Sequence, residues 1–222
     1  RVLCSGDIGH AEGQPLPPPA PPPSADLVVM ECTRGDTEDE ILLPPEEQLA
    51  RVLHDATVDE QVVVCPTFAL GRSHQLLYRL ATLSRQGRLD MPVMLDSMMA
   101  SIVAPLHRQH ADVISGECRT LVADDIDPLH FPELKKLHNR KQASVIKDLR
   151  GPALVMAGNG FGEGGPIVEH LIRWLPSRRG RILLAGYLAF NVWDRVRALG
   201  SAQQDHAEWV FSQLEIDFLK LD

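Results

Sequence analysis

QVVVCPTFALGRSHQLLYRLATL, residues 61–83, holds a strand, a turn and a helix in direct succession. Gln61-Val62-Val63-Val64-Cys65 is β-branched, apolar on both faces and too short for a helix. It predicts a buried strand of a parallel sheet, ended by Pro66. Residues 67–72 form a loop into a helix with Leu76, Leu77, Leu80 and Leu83 at helical spacing, and Ser73 is its expected N-cap. This is one βα unit, and in open α/β sheets the loops at the carboxyl ends of strands carry ligand sites. Gly71 and Arg72 are therefore candidates for holding an anion near a helix N-terminus; the alternative is a glycine that only makes the turn and an arginine that is a surface cation.

On the amino-terminal side, Arg1-Val2-Leu3-Cys4 and Asp26-Leu27-Val28-Val29-Met30 predict two more strands, the second of them buried. The first runs into Ser5-Gly6-Asp7-Ile8-Gly9 and the second into Glu31-Cys32-Thr33-Arg34-Gly35-Asp36, so each delivers an acidic residue at a turn. Residues 14–23 between them hold too much proline for a helix or a central strand and predict a stiff connection. A helix is expected over about 46–56, with Leu49, Val52 and Leu53 on one face. Towards the carboxyl terminus, residues 91–95 predict a strand ending at Asp96-Ser97, followed by a helix through His107. Residues 112–140 show no clear periodicity and read as an insertion or lid. Strands at 151–157 and 181–185, a helix at 167–175 and a mainly helical tail over 192–221 continue the alternation. The expected fold class is α/β, with a mostly parallel, helix-covered sheet.

A chain of 222 residues suits one domain or one and a half. It begins with Arg1, which predicts a processed product or a part of something longer. No apolar run approaches a membrane span, so no membrane partner is expected. Cys4, Cys32, Cys65 and Cys118 are scattered without a CxxC pair, which predicts free thiols and a reducing cytoplasm. The net charge of −8 counts against a broadly cationic surface. It weakens any nucleic-acid expectation drawn from bulk charge, although a bound metal can reverse the sign locally.

Gly158-Asn159-Gly160-Phe161-Gly162-Glu163-Gly164-Gly165 joins a strand to a helix. Glu163 stands where a GxGxxG beginning at Gly158 requires its third glycine, and no Gly-Lys-Ser/Thr follows, so neither nucleotide fingerprint is met. The backbone N–H groups of such a loop can approach a phosphate, or the loop can be a plain tight turn. His107 and His110, three apart on a helix without a third ligand, predict a solvated face and not a metal site. Asp7 and Glu31 each follow an apolar strand, where a carboxylate faces either a site or only solvent.

Taken in order, Ser5-Gly6-Asp7-Ile8-Gly9, the strand and turn of residues 25–36, Pro66-Thr67-Phe68-Ala69-Leu70-Gly71-Arg72, Pro92-Val93-Met94-Leu95-Asp96-Ser97-Met98-Met99-Ala100, the glycine run and Gly186-Tyr187-Leu188-Ala189 resemble one family. It is the β-CASP branch of the metallo-β-lactamase superfamily, zinc-dependent nucleases that process RNA and DNA. The resemblance spans about residues 1–195. It implies an edge of a metallo-β-lactamase αββα core at 1–36, a β-CASP domain at 37–191 and a helical tail at 192–222 returning towards the core. It also implies that Asp7 bridges two zinc ions. Glu31 becomes the acidic residue of the first β-CASP motif, which orients a histidine that protonates the leaving group. Arg72, Ser97, Gly160, Gly164 and Gly165 become contacts to RNA phosphates in a cleft. The implied reaction is hydrolysis of single-stranded RNA by a zinc-activated hydroxide, with a homodimer or an RNA-processing complex as the implied assemblies.

The family's His-x-His-x-Asp-His segment has no counterpart in this sequence. His10, Met98, Pro166 and Asn191-Val192 stand where the family has arginine, proline, arginine and Gly-Thr. His206, in Asp205-His206-Ala207-Glu208, resembles the second histidine motif only faintly, a surface helix histidine being the other reading. The chain alone is therefore expected to hold no complete metal site and to be inactive by itself. Two other classes stay open. One is a catalytically inactive relative that binds RNA or a partner as a scaffold. The other is an unrelated α/β nucleotide-binding module, in which Asp7 and Glu31 need not be neighbours.

Overall fold

The computed structural model describes residues 1–8, 15–32, 44–159, 164–174, 179–185 and 215–219. Near the amino terminus β1 (Val2–Cys4) pairs in parallel with β2 (Leu27–Val29), with Cys4 opposite Val29. The proline-rich stretch between them contains no helix or strand over its described residues, and its Pro15 carbonyl accepts a hydrogen bond of 2.9 Å from the Ser115 N–H. Then α1 (Pro45–Val58) leads into β3 (Val62–Thr67), α2 (Arg72–Arg85), β4 (Val93–Asp96) and α3 (Met98–Gln109). After a 3₁₀ turn at Ala111–Val113 come α4 (Gly116–Ala123), β5 (Leu134–Lys136) and α5 (Arg140–Ala143), which runs into a second 3₁₀ turn at Ser144–Asp148. The last described elements are β6 (Ala153–Gly158), α6 (Pro166–Trp174), β7 (Gly180–Ala185) and β8 (Glu215–Leu219). Strands β3 to β8 form one six-stranded sheet in the order β5-β4-β6-β3-β7-β8, every neighbouring pair parallel.

The sheet is covered on both faces. Val63 and Cys65 of β3, Leu154 and Met156 of β6, and Val93 and Leu95 of β4 pack into a core with the leucines of α1 and α2. The alternate residues Val62, Val64, Val155, Ala157 and Met94 enter a second core with Ile146, Ile167, Leu171 and Trp174. A strand whose two faces are both buried has no use for a polar alternate, which is why the 62–65 run is continuously apolar. Leu76, Leu77, Leu80 and Leu83 are fully buried. At about 1.5–3 kcal/mol each, this face and not a cap holds α2, because its N-cap Gly71 makes no side-chain cap bond. Among the described residues no helix is long and apolar enough to cross a membrane.

Several local expectations are corrected. Pro66 does not end β3, which continues to Thr67. The Val62 N–H donates to the Arg179 carbonyl on the β7 side, so by alternation the position of Pro66 turns the same way, and pairing with β7 stops at Val64. The missing N–H therefore breaks no ladder bond. Ser73 is not the N-cap of α2: Gly71 is, at φ +71°, and the Ser73 hydroxyl bonds back to the Ala69 carbonyl at 3.2 Å. The strand over 26–30 shortens to Leu27–Val29 and is exposed, not buried, because no described element packs over this two-stranded sheet. Residues 112–140 are not a structureless lid but contain α4 and β5, whose Leu134 enters the main core. In the tail, Glu215–Leu219 is a strand where a helix was expected; Glu215-Ile216-Asp217-Phe218 alternates with the period of a strand. The rest of that tail lies outside the described residues.

Candidate functional site

The parallel pairing of β1 and β2 sets the turns that follow them side by side. The Ser5 N–H donates to the Val29 carbonyl at 2.9 Å, and the Glu31 N–H donates to the Ser5 hydroxyl at 3.1 Å. The Glu31 carboxylate accepts a hydrogen bond from the Ile8 N–H, the residue after Asp7. Asp7 and Glu31 are thus brought to one place, Asp7 exposed and Glu31 half-buried. Glu31 already has a job there, since its carboxylate holds the turn that presents Asp7. A zinc centre needs three or four ligands. Among the described residues no group of three His, Cys, Asp or Glu side chains gathers in a form able to hold a metal, so these residues alone do not fit a zinc ion.

A second locus lies at the carboxyl ends of the adjacent strands β5, β4 and β6, where a cavity of about 720 Å³ opens. Its lining includes Asp96 and Ser97 at the end of β4, Gly158 at the end of β6, and Gly165 and Pro166 at the start of α6. Ser97 is the N-cap of α3, its hydroxyl accepting the Ala100 N–H at 3.4 Å. The amino ends of α3 and α6 both turn towards this cavity, so unpaired N–H groups and the positive ends of two helix dipoles border it. Gly165 takes φ +70°, and a Cβ there would lie 3.4 Å from the Gly158 carbonyl, so a larger residue would narrow the mouth. At its base is a hydrogen-bonded pair: His170 Nε2 lies 2.7 Å from Asp96 Oδ2, with the side chains only 8% and 12% exposed. His138, Asn139, Ser144 and Lys147 also line the cavity.

Of the residues expected to meet phosphates, Ser97 and Gly165 line this cavity and Gly164 adjoins it in sequence. Arg72 does not line it; it sits at the start of α2 with Nη1 3.4 Å from Gln75 Oε1. Gly160 lies outside the described residues, as do His10, Asn191-Val192 and His206. Asp7 and Glu31 are not among the lining residues either. The sequence reading missed His170 and Lys147. His170 stands on the apolar stripe Ile167, Leu171, Trp174 of α6, and a histidine on a core-facing stripe was the available signal.

His107 is not a solvated residue as expected. Its ring lies 4.8 Å from that of His74, and its Nδ1 is buried without a partner among the described residues. His110 is exposed. Burial pushes His74 down to about 4 despite a 3.3 Å contact to the Ala100 carbonyl, with the charges of His107 and Lys136 acting in the same direction as burial. Burial likewise pushes the Cys65 thiol up to about 12.

Residues 73–191 match the family description Beta-Casp domain. The chain is 32% identical over 187 residues to a ribonuclease of Thermus thermophilus, a match covering 84% of this chain and 43% of that protein. It is 29% identical over 200 residues to transcription termination factor FttA of Pyrococcus abyssi, covering 88% and 31%. Against endoribonuclease YSH1 of Mycosarcoma maydis it is 27% identical over 190 residues, covering 84% and 21%. The chain spans less than half the length of each of these relatives. A fully parallel, helix-covered sheet, a domain match over more than half of the sequence and a relative at 32% identity along most of it agree: the chain belongs to the β-CASP family.

Proposed function

We infer that this chain is the β-CASP part of an RNA phosphodiester hydrolase and that its cavity at the ends of β4 and β6 receives the RNA backbone. The observation that carries this reading is the coincidence of Ser97, Gly165 and two helix amino ends around one cavity, in a chain matched along 84% of its length by a protein named as a ribonuclease. Helix amino ends and a glycine turn offer backbone N–H groups to phosphate oxygens, and Lys147 adds charge. Single-stranded RNA is the proposed ligand because a flexible strand can bend into a concavity that a rigid duplex cannot follow.

Asp7 is proposed as one metal-ligating carboxylate of a two-zinc centre whose other ligands lie elsewhere than in the described residues, and Glu31 as the residue that fixes its turn. The described residues offer too few ligands to hold zinc, so they do not carry the hydrolysis by themselves. A second reading, an inactive RNA-binding scaffold, draws on the same shortage of ligands and on Pro166 and Glu169 at the cavity, which bring no positive charge. The free thiols favour a reducing compartment such as the cytoplasm.

The test is anisotropy of a labelled single-stranded RNA with this chain. Binding that weakens several-fold in Ser97→Ala and Gly165→Val, and that is indifferent to EDTA, is the expected result. No binding would sink the reading. Cleavage is assayed with Zn²⁺ on the gene product that carries this sequence; loss of cleavage in Asp7→Ala supports the hydrolase, and binding without any cleavage supports the scaffold.

A further inference from the structure

The chain has five lysines, and four of them, Lys135, Lys136, Lys141 and Lys147, fall within residues 135–147. Elsewhere carboxylates hold five of the arginines, Arg79 by Glu46, Arg88 by Glu47, Arg108 by Asp125, Arg179 by Glu60 and Arg181 by Asp59, while Arg119 and Arg173 donate to backbone carbonyls. None of the four lysines makes an ion pair with a described residue. In a chain of net charge −8, a cluster of cations not engaged in ion pairs is where an external polyanion gains most.

Their placement follows from β5 and the turn after it. Leu134 points into the α2-side core and Leu137 into the α6-side core, so by alternation Lys135 shares the α6-side face and Lys136 the opposite one. The effect of Lys136 on His74 agrees with that side. Lys147 lines the cavity, and Lys141 lies about two turns before it, its carbonyl accepting the hydroxyl of Ser144, another lining residue, at 2.6 Å. This segment is pinned. The His138 N–H donates to Gln142 Oε1 at 2.7 Å, the Gln142 N–H donates to Asn139 Oδ1 at 2.9 Å, and the Ala143 N–H donates to the Asn139 carbonyl at 3.0 Å. A turn already ordered loses little entropy when a ligand settles on it.

We propose that Lys135, Lys141 and Lys147 form a track that binds the backbone of single-stranded RNA and leads it from the cavity along the β5 edge of the sheet. The inference rests on the RNA-binding reading and adds where the strand goes outside the cavity. An anionic bilayer is the less suitable occupant, because a flat surface cannot follow the lysines into the concavity that Lys147 lines.

The experiment is the salt dependence of binding of a labelled oligouridine to the full chain, for wild type, the triple variant Lys135→Gln/Lys141→Gln/Lys147→Gln, and Lys136→Gln. All four positions are at least partly exposed, and unchanged circular dichroism confirms that the variants fold. Each single-strand phosphate contact contributes about 0.7 to the slope of log K against log salt. The triple variant should therefore lose about 2 from the slope, so that between 50 and 200 mM salt wild type weakens roughly 20-fold more than it does. Lys136→Gln, on the other face, should leave the slope unchanged. Wild-type binding with an unaltered slope in the triple variant overturns the track and leaves the RNA reading standing. An equal effect of Lys136→Gln per charge overturns the placement in favour of bulk charge. Absence of RNA binding by wild type, including a preference for anionic phosphatidylserine vesicles over RNA, overturns both.

Discussion

Replacing His170 by alanine should destabilise the protein by about 3 kcal/mol. His170 and Asp96 meet at 2.7 Å beneath the cavity, almost entirely out of water, and Asp96 closes a strand whose four residues are all buried. Removing one member of a buried pair costs roughly 3–5 kcal/mol, because the group left behind keeps its desolvation and loses its partner. The lower end applies here, since a side chain that lines the cavity can be reached by water once the imidazole is gone, and the space vacated opens into that cavity and not into a closed void. For a chain of this size the melting temperature should fall by roughly 6–12 °C. Asp96→Asn keeps the shape and one hydrogen bond, so it should cost only about 1–1.5 kcal/mol. The double variant should then cost at least about 1 kcal/mol less than the two single losses added together, as coupled neighbours do. Urea unfolding with linear extrapolation at neutral pH measures all three. Additive losses would falsify the idea that the two residues act as a unit.

Other consequences can be measured directly. Gly151 adopts φ +80°, and a Cβ there would lie 2.1 Å from the Glu60 carbonyl, so Gly151→Ala should lower stability by at least about 2 kcal/mol. Gly116 opens α4 with free space around it, and Gly116→Ala should raise stability by about 0.5 kcal/mol in the same thermal scans. His74 is held neutral in the folded state down to about 4, whereas the unfolded chain binds its proton near the ordinary value of 6.5. The unfolded state therefore carries more protons between those values, and stability should fall as pH drops from 6.5 to 4. A urea midpoint whose dependence on pH in that window is the same in His74→Gln would refute the assignment. With Cys4 and Cys32 exposed and Cys65 and Cys118 buried, a disulfide reagent at pH 8 should label two thiols in the folded chain and four in urea; rapid labelling of a third contradicts the described packing.

The parts of the fold that were legible are those where one local pattern leaves one option. Val62-Val63-Val64-Cys65 can be little other than a doubly buried strand, and the leucines of α2 repeat with a single helical face. What escaped was set by partners distant in sequence. The three residues of β5 carry two lysines and no alternation strong enough to announce a strand; the ladder offered by β4 makes them one. Pro66 reads as a terminator until pairing with β7 is seen to stop two residues earlier. The exposure of Leu27, Val28 and Val29 depends on what packs over them, and no periodicity encodes that. At the site, Ser97 and Gly165 could be named through the family resemblance. His170 could not, because its meaning comes from Asp96, 74 residues earlier.

Bulk charge points away from RNA, and the proposed track rests on how that charge is arranged. At about 0.1 M salt a charge is felt over roughly 10 Å. A strand entering the cavity therefore responds to the groups around it and not to the sum over the whole chain. Arginines gripped by carboxylates, such as Arg88 by Glu47, add little net field beyond their own contact. Asp96 is hydrogen-bonded to His170, and among the described residues Glu169 is the other carboxylate in the cavity lining, which also holds Lys147. In the sequence, acidic residues such as Asp36, Glu38, Asp39 and Glu40 cluster far along the chain from the lysines, while within residues 134–147 there is none, Glu133 and Asp148 standing at its two ends. Segregation of this kind lets a net-negative protein stay soluble and self-repelling while presenting a short cationic edge. Such an edge can favour a single strand laid along it over a broad polyanionic surface, which would also have to meet the acidic remainder.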